Sequence, residues 1–369
     1  MNVTIIGSGI IGATAAYYLT KRGVHVTLID RDEPGRATDA AAGIICPWLA
    51  QRRNKAWYEL VRQGARMYPQ LIEHLADDGE AETGYKKVGA LGLHTVEKRL
   101  FAAKERVLNR REDAPEIGEV TILNEIETRK MFPLLEKNRF QSIYISGAAR
   151  VDGKLLRRTL VNAAKKNGAI VVKGDAKLLE KNGKICTVTV NEKSYESDFI
   201  IAANGAWMRE LFLPVGIELA VKPQKAQIIH LEINESNPSW PVVMPPNNQY
   251  ILPFSKGKVI VGATHETEAG FDQRITAGGV HEVLTKAIDI VPKLATSTVK
   301  QINVGFRPFT PNSLPVFGHL PNQQNVLIAN GLGASGLTSG PLIGVQLAKL
   351  VLNKQLDLNE SQYDVKNVL

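Results

Sequence analysis

The sequence predicts an α/β fold in which a Rossmann-type domain is joined to a second domain built on a mixed, largely antiparallel sheet. Three observations lead to this prediction. A complete β-α-β pattern opens the chain, a glycine-rich turn near residues 330–344 follows an apolar run, and strand-rich stretches lie between. Because nucleotide-type elements occur at the start, middle and end of the chain, both domains are expected to be discontinuous.

The elements follow from hydrophobic periodicity and turn residues. The opening unit is a strand over 3–6, a helix over 10–22 and a strand over 25–30. Further helices are predicted over 55–76, 153–167, 278–291 and 341–352. Further strands are predicted over 88–94, 142–145, 169–172, 178–180, 185–190, 198–203, 226–231, 249–253, 259–261 and 325–330. Asn182-Gly183 predicts a hairpin turn between two of these strands.

The composition is that of a globular protein. The chain has 369 residues, of which 44% are hydrophobic and 22% charged. No apolar run reaches the roughly 20 residues that a membrane span requires, and no basic leader precedes the first strand, so a cytoplasmic protein is expected. The net charge of +8 is spread along the chain, which makes a nucleic-acid surface unlikely and suits anionic small molecules.

The cysteines and histidines give no sign of a metal site. Cys46 and Cys186 do not form a C-x-x-C pair, and the seven histidines show no metal-ligand spacing. His265 and His319 are interpreted as surface or core histidines. No metal is therefore expected.

The glycines of GSGIIG, residues 7–12, fit the dinucleotide pattern G-x-G-x-x-G. Gly7 permits a tight turn after the strand, Gly9 lets backbone approach a pyrophosphate, and Gly12 allows close helix–strand packing. The helix N-terminus offers N–H groups to phosphates. Asp30 ends the next strand, where its carboxylate would accept ribose hydroxyls and repel a 2′-phosphate. The pattern predicts a dinucleotide other than NADP, and by itself leaves NAD and FAD open.

Three further segments bear on that choice. Residues 35–45 are rich in small side chains, residues 199–207 end a strand in Asn204-Gly205, and residues 330–344 form a second glycine-rich turn before a helix. In that helix Ser339 or Thr338 is expected at the N-cap, with Pro341 in the first turn. FAD is long enough to reach both glycine-rich turns, whereas a nicotinamide would not need the second one.

At these motifs the chain resembles the D-amino-acid oxidase and glycine oxidase group of FAD-dependent enzymes, which includes sarcosine oxidases and bacterial D-amino-acid dehydrogenases. The resemblance runs nearly end to end. It rests on the order of VTIIGSGIIG, ATDAAAGI, VDGKLL, GAIVV, IIAANGAW, YILPFSKGKVIVGAT, GFRPFTPNSLPVFG and GLGASGL.

The resemblance implies an enzyme that oxidises a small amino acid or secondary amine to an imine, with hydride transfer to flavin N5 and later hydrolysis to the oxo acid. Oxygen or an electron carrier would reoxidise the flavin. It implies that Arg307, in GFRPFTP, and Tyr250, in NNQYILPF, bind the substrate carboxylate. No catalytic acid or base is expected. FAD is expected to be non-covalent, because neither cysteine lies near Arg307.

The resemblance also implies the cofactor site and the domain boundaries. The FAD domain is expected at 1–80, 147–218 and 300–369, and the substrate domain at 81–146 and 219–299. The residues expected to bind FAD are Gly7, Gly9, Ile10, Ile11, Gly12, Asp30, Arg31, Thr38, Ala41, Ala42, Gly43, Ile44, Ala176, Gly205, Trp207, Gly331, Gly333, Ala334, Ser335, Gly336, Leu337 and Thr338.

One departure from the group concerns the substrate. Residues 332–336 are small and neutral where the glycine oxidases carry bulkier polar residues, so a larger side chain or an N-substituted amine is expected to fit. Two alternatives remain open at this stage, a flavin-dependent tRNA-modifying enzyme and a non-catalytic FAD-binding protein. A homo-oligomer is also left open.

Overall fold

The computed structural model describes residues 1–235 and 237–369. Its strands are numbered in chain order. They are β1 (Asn2–Ile6), β2 (His25–Asp30), β3 (Ile44–Ile45), β4 (Lys86–Lys87), β5 (Ala90–His94), β6 (Val120–Leu123), β7 (Gln141–Ile145), β8 (Ala149–Arg150), β9 (Ile170–Lys173), β10 (Lys177–Lys181), β11 (Lys184–Val190), β12 (Lys193–Glu196), β13 (Phe199–Ala202), β14 (Lys222–Glu232), β15 (Val242–Met244), β16 (Tyr250–Pro253), β17 (Lys258–Gly262), β18 (Thr298–Phe309), β19 (Val316–Leu320) and β20 (Gln323–Asn330).

The α-helices are numbered in the same way. They are α1 (Ile10–Thr20), α2 (Lys55–Asp77), α3 (Glu97–Asp113), α4 (Glu125–Met131), α5 (Gly153–Lys166), α6 (Met208–Phe212), α7 (Ala277–Ile290) and α8 (Gly336–Val351). No helix in the described ranges is both long and apolar enough to cross a membrane.

The first large sheet has six strands in the order β19-β20-β13-β1-β2-β9. Its strands are parallel except for the antiparallel pair of β19 and β20. Helix α1 contacts both α5 and α8. A Cβ added at Gly344 of α8 would lie 2.7 Å from the carbonyl oxygen of Ile11 in α1, so this glycine permits the close helix pairing. The arrangement confirms the predicted Rossmann-type layer.

The second large sheet has eight strands in the order β18-β14-β17-β16-β15-β5-β7-β6. All its neighbours are antiparallel except β15 and β5, which confirms the predicted mixed, largely antiparallel sheet. Three-stranded sheets are formed by β10-β11-β12 and by β3-β8-β4. Asn182 and Gly183 have φ values of 53° and 77° in the turn between β10 and β11, as the hairpin prediction requires.

The long strand β18 was not predicted, because its outer half is polar and exposed and shows no clear apolar alternation. It pairs with β14 over its whole length, from Lys222 opposite Phe309 to Glu232 opposite Thr298. The predicted FAD domain resumes at residue 300, inside this strand. We propose that β18 belongs to the substrate domain and that the FAD domain resumes after it.

Candidate active site

One cavity of about 910 Å³ is lined by residues of both large sheets. Ile6 of β1 and Ala329 of β20 line it from the six-stranded sheet, and Ile228 of β14 and Arg307 of β18 line it from the eight-stranded sheet. The carboxyl ends of the parallel strands β1 and β13 open into it, which is where open α/β sheets bind ligands.

The first glycine turn is packed too tightly for larger residues. Gly7 has a φ of 98°, and a Cβ there would lie 2.6 Å from the carbonyl oxygen of Ala203. A Cβ at Gly12 would lie 1.9 Å from the carbonyl oxygen of Gly7. Helix α1 begins after Gly9 without a capping side chain, although the N–H of Ile10 donates to Thr38 Oγ1 at 3.0 Å. The turn therefore presents backbone to the cavity.

The carboxylate of Asp30 is held within the protein. It accepts the N–H of Ser8 at 2.6 Å, the N–H of Asp32 at 2.7 Å and a guanidinium N–H of Arg36 at 2.5 Å. Burial by itself would raise the pKa of Asp30, but Arg36 and the two N–H groups outweigh it and the pKa lies below its usual range. Asp30, which lines the cavity, thus connects the first glycine turn to the loop that follows β2.

Arg31 lies on the same wall. It forms ion pairs with Glu33 at 2.9 Å, Glu210 at 3.0 Å and Asp175 at 3.1 Å, and its guanidinium lies 5.8 Å from the ring centre of Trp207. The hydrogen bonds to Glu210 are the main reason that the pKa of Arg31 is raised. Through its ion pair with Glu210, Arg31 therefore connects this end of the cavity to α6.

The small-residue loop, residues 35–45, makes hydrogen bonds to both glycine-rich turns and the helices that follow them. Gly43 has a φ of 93°, and a Cβ there would lie 1.8 Å from the carbonyl oxygen of Val151. The next residue, Ile44, accepts the Thr338 hydroxyl through its carbonyl at 3.1 Å. The loop lines the cavity, and its small side chains allow it to pack this closely against the neighbouring backbone.

The helix after the second glycine turn begins five residues earlier than predicted. A 3₁₀ turn over Gly333–Ser335 runs directly into α8, which has Ser335 at its N-cap. The expected N-cap at Ser339 or Thr338 is therefore wrong. The Ser339 hydroxyl instead donates to the carbonyl oxygen of Ser335 at 2.8 Å, and Pro341 lies inside the helix.

Most of the residues predicted to bind FAD line the cavity. Three do not. Gly12 packs α1 against the first turn, Gly331 packs against Thr310, and the hydroxyl of Ser335 accepts the indole N–H of Trp57 at 3.0 Å. The predicted residues that do line it are Gly7, Gly9, Ile10, Ile11, Asp30, Arg31, Thr38, Ala41, Ala42, Gly43, Ile44, Ala176, Gly205, Trp207, Gly333, Ala334, Gly336, Leu337 and Thr338.

Arg307 has no acidic partner within the described ranges. Its Nη1 has only long contacts, 3.3 Å to Gln224 Oε1 and 3.5 Å to the carbonyl oxygen of Thr264. Burial lowers the pKa of Arg307, which nevertheless remains a cation, while Tyr250 acts in the opposite direction. This half-buried guanidinium lines the cavity, and a guanidinium without a carboxylate partner is able to bind an anion.

Tyr250 opens β16 directly opposite Gly262 of β17. A Cβ at Gly262 would lie 2.8 Å from the Tyr250 hydroxyl, so the phenol needs a glycine there. Burial raises the pKa of Tyr250 to about 12, although Arg307 acts to lower it. The phenol is therefore a hydrogen-bond donor at neutral pH, on the same cavity as Arg307.

Sequence reasoning missed several residues at this end of the cavity, among them Asn247, Asn248, Gln249 and His265. His265 is exposed, as expected of a surface histidine, and it also lines the cavity. Burial and the charge of Arg307 lower its pKa. The available signal was position, since these residues flank the paired strands β16 and β17. His319 lies elsewhere, with Nδ1 2.6 Å from the carbonyl oxygen of Gln324.

Comparison with known proteins shows the family. The model of the FAD dependent oxidoreductases (DAO) matches residues 2–350, and the chain belongs to this family. The protein is thus an FAD-dependent oxidoreductase.

Individual relatives cover nearly the whole chain. It is 54% identical to the oxidoreductase YurR of Bacillus subtilis (strain 168), over 99% of this chain and 98% of that protein. Its structure is similar to that of iminodiacetate oxidase from Chelativorans sp. BNC1, with a TM-score of 0.95, 41% identity and 98% of each chain covered. It is also similar to glycine oxidase from Geobacillus kaustophilus, with a TM-score of 0.85, 26% identity, and 98% and 97% of the two chains covered.

The residues present fit FAD. The cavity volume is at the upper end of the range for small-molecule and cofactor sites. Gly7 and Gly43, which line the cavity, let backbone pack closely, since a Cβ there would clash with the backbone of Ala203 or Val151. The start of α1, where Gly9 provides no capping side chain, supplies N–H groups for phosphates. Neither Cys46 nor Cys186 is among its lining residues, and in the described ranges no group of three His, Cys, Asp or Glu side chains is arranged for a metal.

Proposed function

We propose that the protein oxidises a small amino acid or secondary amine that carries a carboxylate, with non-covalent FAD as cofactor. The observation that carries this proposal is Arg307, a cation without an acidic partner in the described ranges, beside the Tyr250 phenol on the cavity. Arg307 and Tyr250 bind the carboxylate. Two similar proteins are named glycine oxidase and iminodiacetate oxidase, and both names agree with a substrate of this class.

The cofactor lies along the cavity in this proposal. The first glycine turn and Arg31 would hold its adenosine diphosphate half, and the second turn around Gly333 would hold its flavin half. When bound, FAD would accept two electrons, as a hydride from the carbon next to nitrogen, while the nitrogen loses a proton. Water would then hydrolyse the imine to an oxo acid and either ammonia, from a primary amine, or an amine, from a secondary one. Arg307 orients the substrate, and no protein acid or base is required at the reacting carbon.

An anaerobic titration tests the proposal. The FAD-loaded protein is mixed with glycine, sarcosine, D-alanine, D-proline and iminodiacetate, and flavin absorbance near ~450 nm is followed. We expect bleaching by at least one of these compounds, and readmitted oxygen then distinguishes an oxidase from a dehydrogenase. Yellow protein that no amine bleaches would contradict the proposal.

Arg307→Ala tests the assigned binding residue. Loss of a charge-assisted pair is expected to raise the half-saturating concentration by about 10-fold or more. The matched control is Arg209→Ala, because Arg209 is exposed, pairs with Glu218 at 2.5 Å and does not line the cavity. Unchanged saturation in Arg307→Ala would remove Arg307 from the substrate site.

A further inference from the structure

The mouth of the cavity, beside Arg307, is formed by the turn between β15 and β16. Asn247 and Asn248 of this turn are exposed and line the cavity. Helix α7 carries Lys286, whose ammonium reaches the same turn. The mouth is therefore a second polar surface, distinct from the pair of Arg307 and Tyr250.

Both asparagines use their amide oxygens within the protein. Asn247 Oδ1 accepts the N–H of Gln249 at 2.9 Å, and Asn248 Oδ1 accepts Lys286 Nζ at 3.1 Å. The opposite end of each amide is an NH₂ group, which only donates. The turn consequently offers donors to a ligand, and the ammonium behind Asn248 strengthens this preference for an acceptor.

The acidic side chains of the cavity lie at one of its ends, where Arg31, Arg36 and Lys177 also line it. The acidic residues that line it are Asp30, Glu33, Asp175 and Glu210, all on the Asp30–Arg31 wall. At the other end, Arg307 and His265 line the cavity. The acid at that end, Glu282, pairs with Lys286 at 2.7 Å and does not line the cavity. The lining of this end therefore carries the Arg307 cation and no acidic side chain.

The geometry points to a substrate with two carboxylates, one bound by Arg307 and Tyr250 and the other bound at the mouth by the NH₂ groups of Asn247 and Asn248, with Lys286 acting through its hydrogen bond to Asn248. This inference rests on the proposed function and specifies its substrate class, an iminodicarboxylate whose reacting C–N bond lies between the two anionic ends. The exposed mouth makes the second interaction weaker and more sensitive to salt than the first.

A matched pair of compounds isolates the second carboxylate. Iminodiacetate and N-ethylglycine differ in that one carboxylate is replaced by a methyl group. In anaerobic flavin bleaching with the FAD-loaded enzyme, we expect the half-saturating concentration of iminodiacetate to be up to about fivefold lower than that of N-ethylglycine. This difference should shrink as salt is added. Equal half-saturation by the two compounds would overturn the inference.

Two substitutions with opposite expected effects on the half-saturating concentration test whether Lys286 contributes to binding the second carboxylate. Lys286→Gln is expected to raise the half-saturating concentration of iminodiacetate about 3- to 5-fold and to leave N-ethylglycine unchanged. Glu282→Gln frees the Lys286 ammonium and is expected to lower the iminodiacetate value. Lys300→Gln is the control. Lys300 of β18 also forms a lysine–glutamate pair, with Glu232 of β14 at 3.3 Å, and it does not line the cavity.

The outcomes separate this inference from the proposed function. If N-ethylglycine bleaches the flavin as readily as iminodiacetate, or if Lys286→Gln changes both compounds equally, the second carboxylate site is wrong while amine oxidation stands. If neither these two compounds nor any other amine bleaches the flavin, the proposed function itself fails.

Discussion

The Tyr68 hydroxyl donates to the carbonyl oxygen of Leu337 at 2.5 Å. Leu337 lies four residues before Pro341 in α8, and proline has no N–H with which to complete the helical hydrogen bond to that carbonyl. The phenol from α2 thus replaces the missing helical donor, at a residue that lines the cavity. This explains how a proline is accommodated inside the helix that follows the second glycine turn.

A double-mutant cycle tests this relationship. Tyr68→Phe should lower the free energy of unfolding by about 1–3 kcal/mol, because it leaves a buried carbonyl without a donor. In a Pro341→Ala background the new N–H can bond to Leu337, and the cost of Tyr68→Phe should fall below about 1 kcal/mol. Urea unfolding of the four proteins measures the coupling.

Tyr85→Phe is the control for that cycle, because the Tyr85 ring stacks on Tyr68 with centroids 5.6 Å apart. It removes a neighbouring hydroxyl without removing the donor to Leu337. Equal costs of Tyr68→Phe in the two backgrounds would show that the proline is not the reason for the hydrogen bond.

Gly12→Ala should destabilise the protein and weaken FAD binding. The added Cβ would lie 1.9 Å from the Gly7 carbonyl oxygen, and backbone has to move to accept it, which typically costs about 1–3 kcal/mol. Gly278→Ala is the matched change in the first turn of α7, where a Cβ meets nothing within 4 Å, and it should be neutral or stabilising by up to about 1 kcal/mol. Thermal unfolding with and without added FAD compares them. Similar behaviour of the two variants would count against the close packing.

Lys225→Met should destabilise the protein. Lys225 is fully buried in β14 and lies 3.2 Å from Asp272 and 3.5 Å from Glu266. Methionine removes a buried ammonium that donates to two partly exposed carboxylates, and Asp272 keeps its ion pair with Arg274 at 2.9 Å, so the expected cost is about 1–3 kcal/mol. Lys222→Met, at an exposed position of the same strand, should stay within about 0.5 kcal/mol. Denaturant unfolding of both variants provides the comparison, and a mild effect at Lys225 would show that the carboxylates are solvated.

The role proposed for Tyr250 predicts a particular pH dependence. Since burial raises the pKa of Tyr250 to about 12, the phenol stays protonated and keeps donating as pH rises through 10. Tyr250→Phe should therefore weaken substrate saturation by about 10-fold, and by the same factor at pH 7 and pH 10. Flavin bleaching at several pH values measures this factor. A difference between the two proteins that disappears towards pH 10 would mean that the phenol ionises in this range.

The local patterns of the sequence determined the fold class and predicted a dinucleotide site. Strand, glycine spacing and helix in residues 2–20 are adjacent in the chain, so the turn around Gly7 could be predicted from neighbours alone. The same holds for the hairpin at Asn182-Gly183. The family resemblance then indicated FAD, and the comparison with the family model confirmed it.

The tertiary structure decided what depends on distant partners. Strand β18 is defined by its pairing with β14, some 70 residues earlier, rather than by its own weak pattern. The interior position of Pro341 depends on Tyr68, and the cavity position of His265 depends on how two sheets meet. The Asn248–Lys286 contact likewise joins a turn to a helix 38 residues away. Such contacts leave no periodic signal, because hydrophobic patterning specifies which face of an element is buried but not which neighbour covers it.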